Sequence, residues 1–89
     1  MGLDIEELFM AVEREFELEI PNDAARRLET VGALYAYLCR HSPRLGGTAP
    51  DVYAGWAWDR LVQLVVSSCP ADASYVRPDA YFVRDLGMG

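Results

Sequence analysis

Metal-binding side chains are scarce in this sequence. Cysteine occurs twice, as Cys39 and Cys69, and histidine once, as His41. No C-x-x-C and no His or Cys pair at ligand spacing is present, so no metal site is expected. Each cysteine falls at the end of a predicted helix. A disulfide between them is conceivable, but two reduced thiols suit a cytoplasmic chain, the expected location. An excess of positive charge is also lacking: 8 basic residues stand against 14 acidic ones, for a net charge of −6. Phosphate backbones need clustered Lys and Arg, so nucleic acid is excluded as a partner. An anionic membrane surface is excluded on the same ground. Long apolar runs are missing. Leu64-Val65-Val66 is far too short to span a bilayer. The N-terminus has no basic region leading into an apolar run, so no signal peptide is expected. There is no Gly-rich phosphate loop, no strand with clean period-two alternation and no internal repeat.

Apolar residues are what the sequence has in quantity. They make up 52% of its 89 residues, enough for the core of one small domain over 1–89. Residues 4–18, "DIEELFMAVEREFEL", read as an amphipathic helix. Ile5, Leu8, Val12 and Phe16 recur at three- and four-residue steps with Phe9 beside them. Asp4 is its expected N-cap, and Glu6 and Glu7 suit the positive end of the helix dipole. Pro21 is expected to stop it. Asn22 or Asp23 can cap a short helix, "DAARRL", and Thr30 the next, "VGALYAYLCR", whose stripe is Val31, Leu34, Tyr35 and Leu38. Residues 40–50 hold two prolines and Gly46-Gly47 and read as a linker. A second long helix is expected over 51–68, capped by Asp51, with Trp58, Leu61, Val62, Val65 and Val66 inward and Pro70 after it. The rest reads as an ordered loop anchored by Tyr81, Phe82, Val83 and Leu86. The class is all-α, with three longer helices and a short one.

Candidate chemistry is thin. His41 in "RHSPR" has no orienting partner or nucleophile placed near it. Glu6, Glu7, Glu13, Glu15, Glu17 and Glu19 crowd one helix, and paired carboxylates can serve a small hydrolase. An acidic helix is more often a solvated face, or one that docks on a basic patch of a partner protein. Met10, an adaptable apolar contact in its middle, favours docking. Trp56, Trp58 and the tyrosines 35, 37, 53, 75 and 81 could line a pocket, though aromatics at helical spacing are more often core. Asp79 and Asp85 could hold a cation, though turn aspartates more often accept backbone N–H groups. No catalytic residue is assigned.

Three segments resemble acyl carrier proteins. "LDIEELFMAVEREFELEIPND" resembles that family's second helix, read as D-S-L-D-x-x-E-L-x-M-x-L-E-x-x-F-x-x-x-I-P-D. Leu3, Asp4, Glu7, Leu8, Met10, Glu13, Phe16, Ile20 and Pro21 match in place. "TVGALYAYL" resembles the last helix. "RPDAYFVRDLGMG" resembles the loop before the second helix, matching at Pro78, Ala80, Phe82, Asp85, Leu86 and Gly87. The helix at 51–68 would be the first. The resemblance implies an acyl-carrier-protein-like four-helix bundle in permuted order: second, third, fourth, linker, first, long loop. Residues 40–50 would bridge the family's old ends, since about ten residues span at most ~35 Å. Residues 3 and 87 would then lie close, in one chain or across a domain-swapped homodimer. The family carries phosphopantetheine on the serine of D-S-L, where a helix N-terminus favours the phosphate. Here Gly2 precedes Leu3, Gly89 or Met88 stands at the other approach, and no serine fills the slot. No cofactor is therefore expected. The implied docking face is Asp4, Glu6, Glu7, Met10 and Glu13, for a synthase or transferase with a basic patch. Arg14 departs from the family's acidic residue. The expected function is a non-catalytic docking domain. The alternatives are a genuine acyl or peptidyl carrier of fatty acid, polyketide or nonribosomal peptide biosynthesis, and the small carboxylate hydrolase.

Overall fold

The computed structural model describes residues 5–45, 52–68 and 72–88. Among them are four α-helices: α1 (Ile5–Phe16), α2 (Asn22–Ala25), α3 (Val31–His41) and α4 (Trp56–Ser68). A 3-10 turn covers Ala73–Tyr75, and the one β-feature among the described residues is an isolated bridge between Thr30 and Tyr81. The class is all-α, as expected. Asp4, Asp51 and Cys69, the predicted caps and second thiol, lie outside the described residues, as do Gly2, Gly89 and residues 46–50 of the expected linker. Residue 3 does too, so its expected approach to residue 87 lies there as well.

α1 buries Leu8, Val12 and Phe16 of the predicted stripe and Phe9 beside it, leaves Ile5 only half-buried, and packs chiefly against α4. It is shorter than expected, and Pro21 does not stop it. The helix ends because Glu17 turns left-handed, with φ 57°. Leu18 N–H then donates back to Glu13 O at 3.2 Å, which closes a Schellman-type end. The two other late carbonyls are met by residues distant in sequence. The buried Ser42 hydroxyl donates to Phe16 O, and Arg44 Nη1 donates to Glu15 O at 2.8 Å. Pro21 instead precedes α2 with ψ 155°, and α2 has no side-chain cap, so neither Asn22 nor Asp23 plays the expected part.

Thr30 caps α3 as predicted, its Oγ1 accepting from Ala33 N–H at 3.1 Å. The next donors of that helix end are taken by the C-terminal segment. Val31 N–H donates to Ala80 O at 3.0 Å and Gly32 N–H to Pro78 O at 2.8 Å. Phe82 N–H returns to Glu29 O at 3.0 Å. Segment 76–88 is thus strapped across the start of α3, and it sinks Val76, Ala80, Phe82, Leu86 and Met88 into the core. Val83, expected as an anchor, is exposed. Tyr81, beside it, is half-buried.

α4 begins at Trp56, not at residue 51. Gly55, with φ 98°, lies outside helical space and its carbonyl accepts the Asp59 N–H at 2.9 Å. The inward side of α4 is Ala57, Leu61, Val65 and Ser68, with Trp58, Val62, Leu64 and Val66 half-buried. Ala57 and Ser68 escape a reading that looks for large apolar residues. The α1–α4 pair is tied on its outer side by Arg60 Nε to Glu15 Oε2 at 3.0 Å. At the end of α1 the buried Phe16 stacks on the exposed Trp56 at 6.2 Å between centroids.

Candidate docking face

The four α1 docking residues that the structure describes do not share one fate. Glu6 and Glu7 are exposed on the first turns, and Met10 follows them outward with 56% of its surface accessible. Glu13 is half-buried and turns its carboxylate back to the chain, where Oε2 accepts the Ile20 N–H at 2.7 Å. Glu15 is likewise engaged, by Arg60 and at 4.0 Å by Arg44. Glu17 and Glu19 are exposed. The two half-buried carboxylates of this helix therefore already serve the fold, and the outer ones lie on a solvated face, which leaves the hydrolase reading without a pair at work. Arg14 is exposed and makes no ion pair among the described residues. The face thus carries acid at its start and a cation toward its end.

A groove of about 620 Å³ lies beside that face. Its floor is Ile5, Phe9, Leu28 and Phe82, and its rim carries Glu6, Arg26, Glu29 and Arg84. Phe9 meets Phe82 edge-on at 6.0 Å. An apolar floor under a rim of both charge signs can take an apolar group from a ligand or partner. The sequence held no signal for this groove beyond Phe82 as an anchor, because its two walls come from opposite ends of the chain.

The other candidates fall into structural roles. Tyr35, Tyr53 and Trp58 touch one another, with centroids 5.2 to 5.8 Å apart, so the rings fill the space a ligand would need. His41 lies against the Tyr37 ring at 4.2 Å on the exposed end of α3. Cys39 is a free, buried thiol. Burial pushes its pKa up, and burial followed by the neighbouring Cys39 pushes the Tyr35 hydroxyl up as well. A thiol so placed stays protonated at neutral pH and is a poor nucleophile.

None of the four serines belongs to α1 or to the residues that lead into it. Ser42 is buried and bonded to Phe16 O, Ser67 donates to Gln63 O at 2.9 Å, and Ser68 is buried on α4. Ser74 is exposed in the 3-10 turn.

Asp85 does what turn aspartates commonly do: its Oδ2 accepts the Tyr81 N–H at 2.8 Å. That N–H holds its carboxyl below the usual aspartate range, and Arg84 acts in the same direction. A carboxyl whose pKa is depressed by folding adds stability above its unfolded value, near 3.9, and loses it as pH falls through the folded value. Asp85→Asn is therefore expected to lower the urea midpoint at pH 7. The gap from wild type should close as pH falls through the folded value. Equal gaps above and below that value would show that the charge is not what the turn uses.

Curated acyl carrier proteins are similar to this chain. The protein from Clostridium perfringens (strain SM101) is 45% identical over 43 residues, which is 48% of this chain and 57% of the relative. That from Bdellovibrio bacteriovorus is 56% identical over 37 residues, 42% of this chain and 47% of the relative. That from Clostridium acetobutylicum is 42% identical over 41 residues, 46% and 53%. The chain spans about half the length of the curated relatives it matches. No family model matches, and no solved structure matches. The resemblance to acyl carrier proteins is borne out over those 37 to 43 residues, and the helical class of the described residues agrees with an all-α, acyl-carrier-protein-like bundle.

Proposed function

We propose that this acyl-carrier-protein-like chain is a docking domain of acyl biosynthesis, one that meets partner enzymes through α1 and carries no phosphopantetheine of its own. The observation that carries the reading is the outward face of α1, where Glu6, Glu7 and the exposed Met10 stand opposite a fully buried stripe. Carboxylates at the positive end of a helix are stabilised by its dipole and draw a basic surface by long-range attraction. An exposed methionine then supplies an adaptable apolar contact at close range. The partner is a synthase or transferase with a basic patch, in the cytoplasm. No helix of the described residues is long and apolar enough to cross a membrane.

The residues present do not fit a phosphopantetheine attachment. Gly2 occupies the place of the serine, and none of the four serines starts α1. The segment order, with a first-helix equivalent after the last-helix equivalent, supports a permuted arrangement. In it, segment 76–88 seats on α3 within one chain or across a swapped pair.

Competition against a serine-bearing carrier tests the reading. The full chain is added to a phosphopantetheinyl transferase, coenzyme A and that carrier. It is expected to inhibit modification of the carrier, to inhibit less as salt rises and to show no mass increase itself. A gain in mass by the arm would establish a genuine carrier instead. No inhibition at any salt would sink the docking role.

A further inference from the structure

We infer that Glu13 is a positioning residue that latches the corner between α1 and α2, and is not itself a docking contact. Residue 13 holds this corner twice. Its carbonyl accepts Leu18 N–H at 3.2 Å, and its carboxylate accepts Ile20 N–H at 2.7 Å, seven residues along the chain. The second bond lies at the short end of the N–H···O range. Ile20 is buried, and a buried N–H without a partner is costly, so the carboxylate meets a demand that the backbone leaves open. The corner also contains a strained step. Glu17 is left-handed without being glycine, a costly conformation that persists only where neighbours hold it. Leu18 N–H and Ile20 N–H flank that step on its C-terminal side, and both are held by residue 13.

The corner matters because of what it builds. Leu18, Ile20 and Pro21 lie with Met10, Glu13 and Arg14 around one shallow depression. Pro21 also starts α2, its carbonyl accepting Ala25 N–H at 2.9 Å. If the corner relaxes, the apolar half of that surface moves relative to Met10, and α2 loses its fixed origin. The inference rests on the docking reading for the use of the surface. The latch itself stands on the geometry of residues 13 to 20.

Two variants separate latch from docking charge. Glu13→Gln removes the charge and keeps an oxygen at the same reach. Glu13→Asp keeps the charge and shortens the arm by one methylene. Amide hydrogen exchange on the full chain is the first readout. Exchange at Ile20 is expected to rise about tenfold or more in Glu13→Asp and to stay within about threefold of wild type in Glu13→Gln. Leu34 and Val65, in the core, should be unmoved and report that the fold is intact. The second readout is the transferase competition. A latch predicts that Gln inhibits nearly as well as wild type and Asp does worse; a docking charge predicts the reverse. An unchanged Ile20 amide in Glu13→Asp, with core amides intact, would overturn the inference. If wild type fails to compete at all, the docking reading falls, and the exchange result still decides the role of Glu13.

Discussion

Gly32→Ala is expected to cost about 2–3 kcal/mol, although the position lies in a helix where alanine is intrinsically better by about 1 kcal/mol. The reason is the strap. A Cβ built on Gly32 would stand 2.5 Å from Pro78 O and 3.1 Å from both Pro78 C and Cα. All three are backbone atoms, so no rotamer can move them aside. The strap would have to lift, which stretches the Gly32 N–H to Pro78 O bond of 2.8 Å and its neighbour from Val31 to Ala80 O at 3.0 Å. Two donors at the start of α3 would then lack partners in a buried place, and each such loss is costly. Urea unfolding at constant slope reads the loss directly. A variant as stable as wild type would show that segment 78–80 does not sit on α3.

This glycine also marks the limit of what the sequence discloses. Inside "TVGALYAYL" it reads as a mild weakness in a helix, and nothing local says that another stretch of backbone runs against it. What was legible came from periodicity and caps. The buried faces of α1 and α3 follow from three- and four-residue spacing, and Thr30 does cap α3. What was not legible came from contacts remote in sequence. α1 stops where Glu17 turns left-handed, an end whose late carbonyls are met by Ser42 and Arg44 from beyond α3, whereas Pro21, the obvious breaker, begins the next element. α4 loses five residues from its expected start because Gly55 adopts a left-handed φ, which a glycine permits without announcing. By spacing alone the docking face is one acidic patch around Met10. Spacing cannot tell an outward carboxylate from one folded back onto a main-chain N–H, so Glu13 and Glu6 looked alike. Val83 is indistinguishable in sequence from its apolar neighbours because a turn has no period from which to choose a face.

Phe82→Ala should have the larger effect, about 3–5 kcal/mol. Phe82 has no accessible surface, and it meets Phe9 of α1 edge-on. Its main chain also joins the strap to two partners, donating to Glu29 O at 3.0 Å and accepting from Met88 N–H at 2.9 Å. Removing the ring leaves a cavity between α1 and the strap that the flanking backbone bonds prevent from collapsing, and that puts the cost toward the upper end. A small domain has stability near the low end of the usual 5–15 kcal/mol, so the variant should be partly unfolded near body temperature. Val83→Ala is the control. That side chain is 64% exposed, and its loss should stay within about 0.5 kcal/mol. The pair also bears on function. Phe82 floors the groove next to Glu6, whereas Val83 only edges it. If Phe82→Ala stays folded in the cold and still competes for the transferase there, the docking surface is α1 alone. If competition falls in the folded variant while Val83→Ala competes fully, the groove floor holds α1 in the position its partners meet.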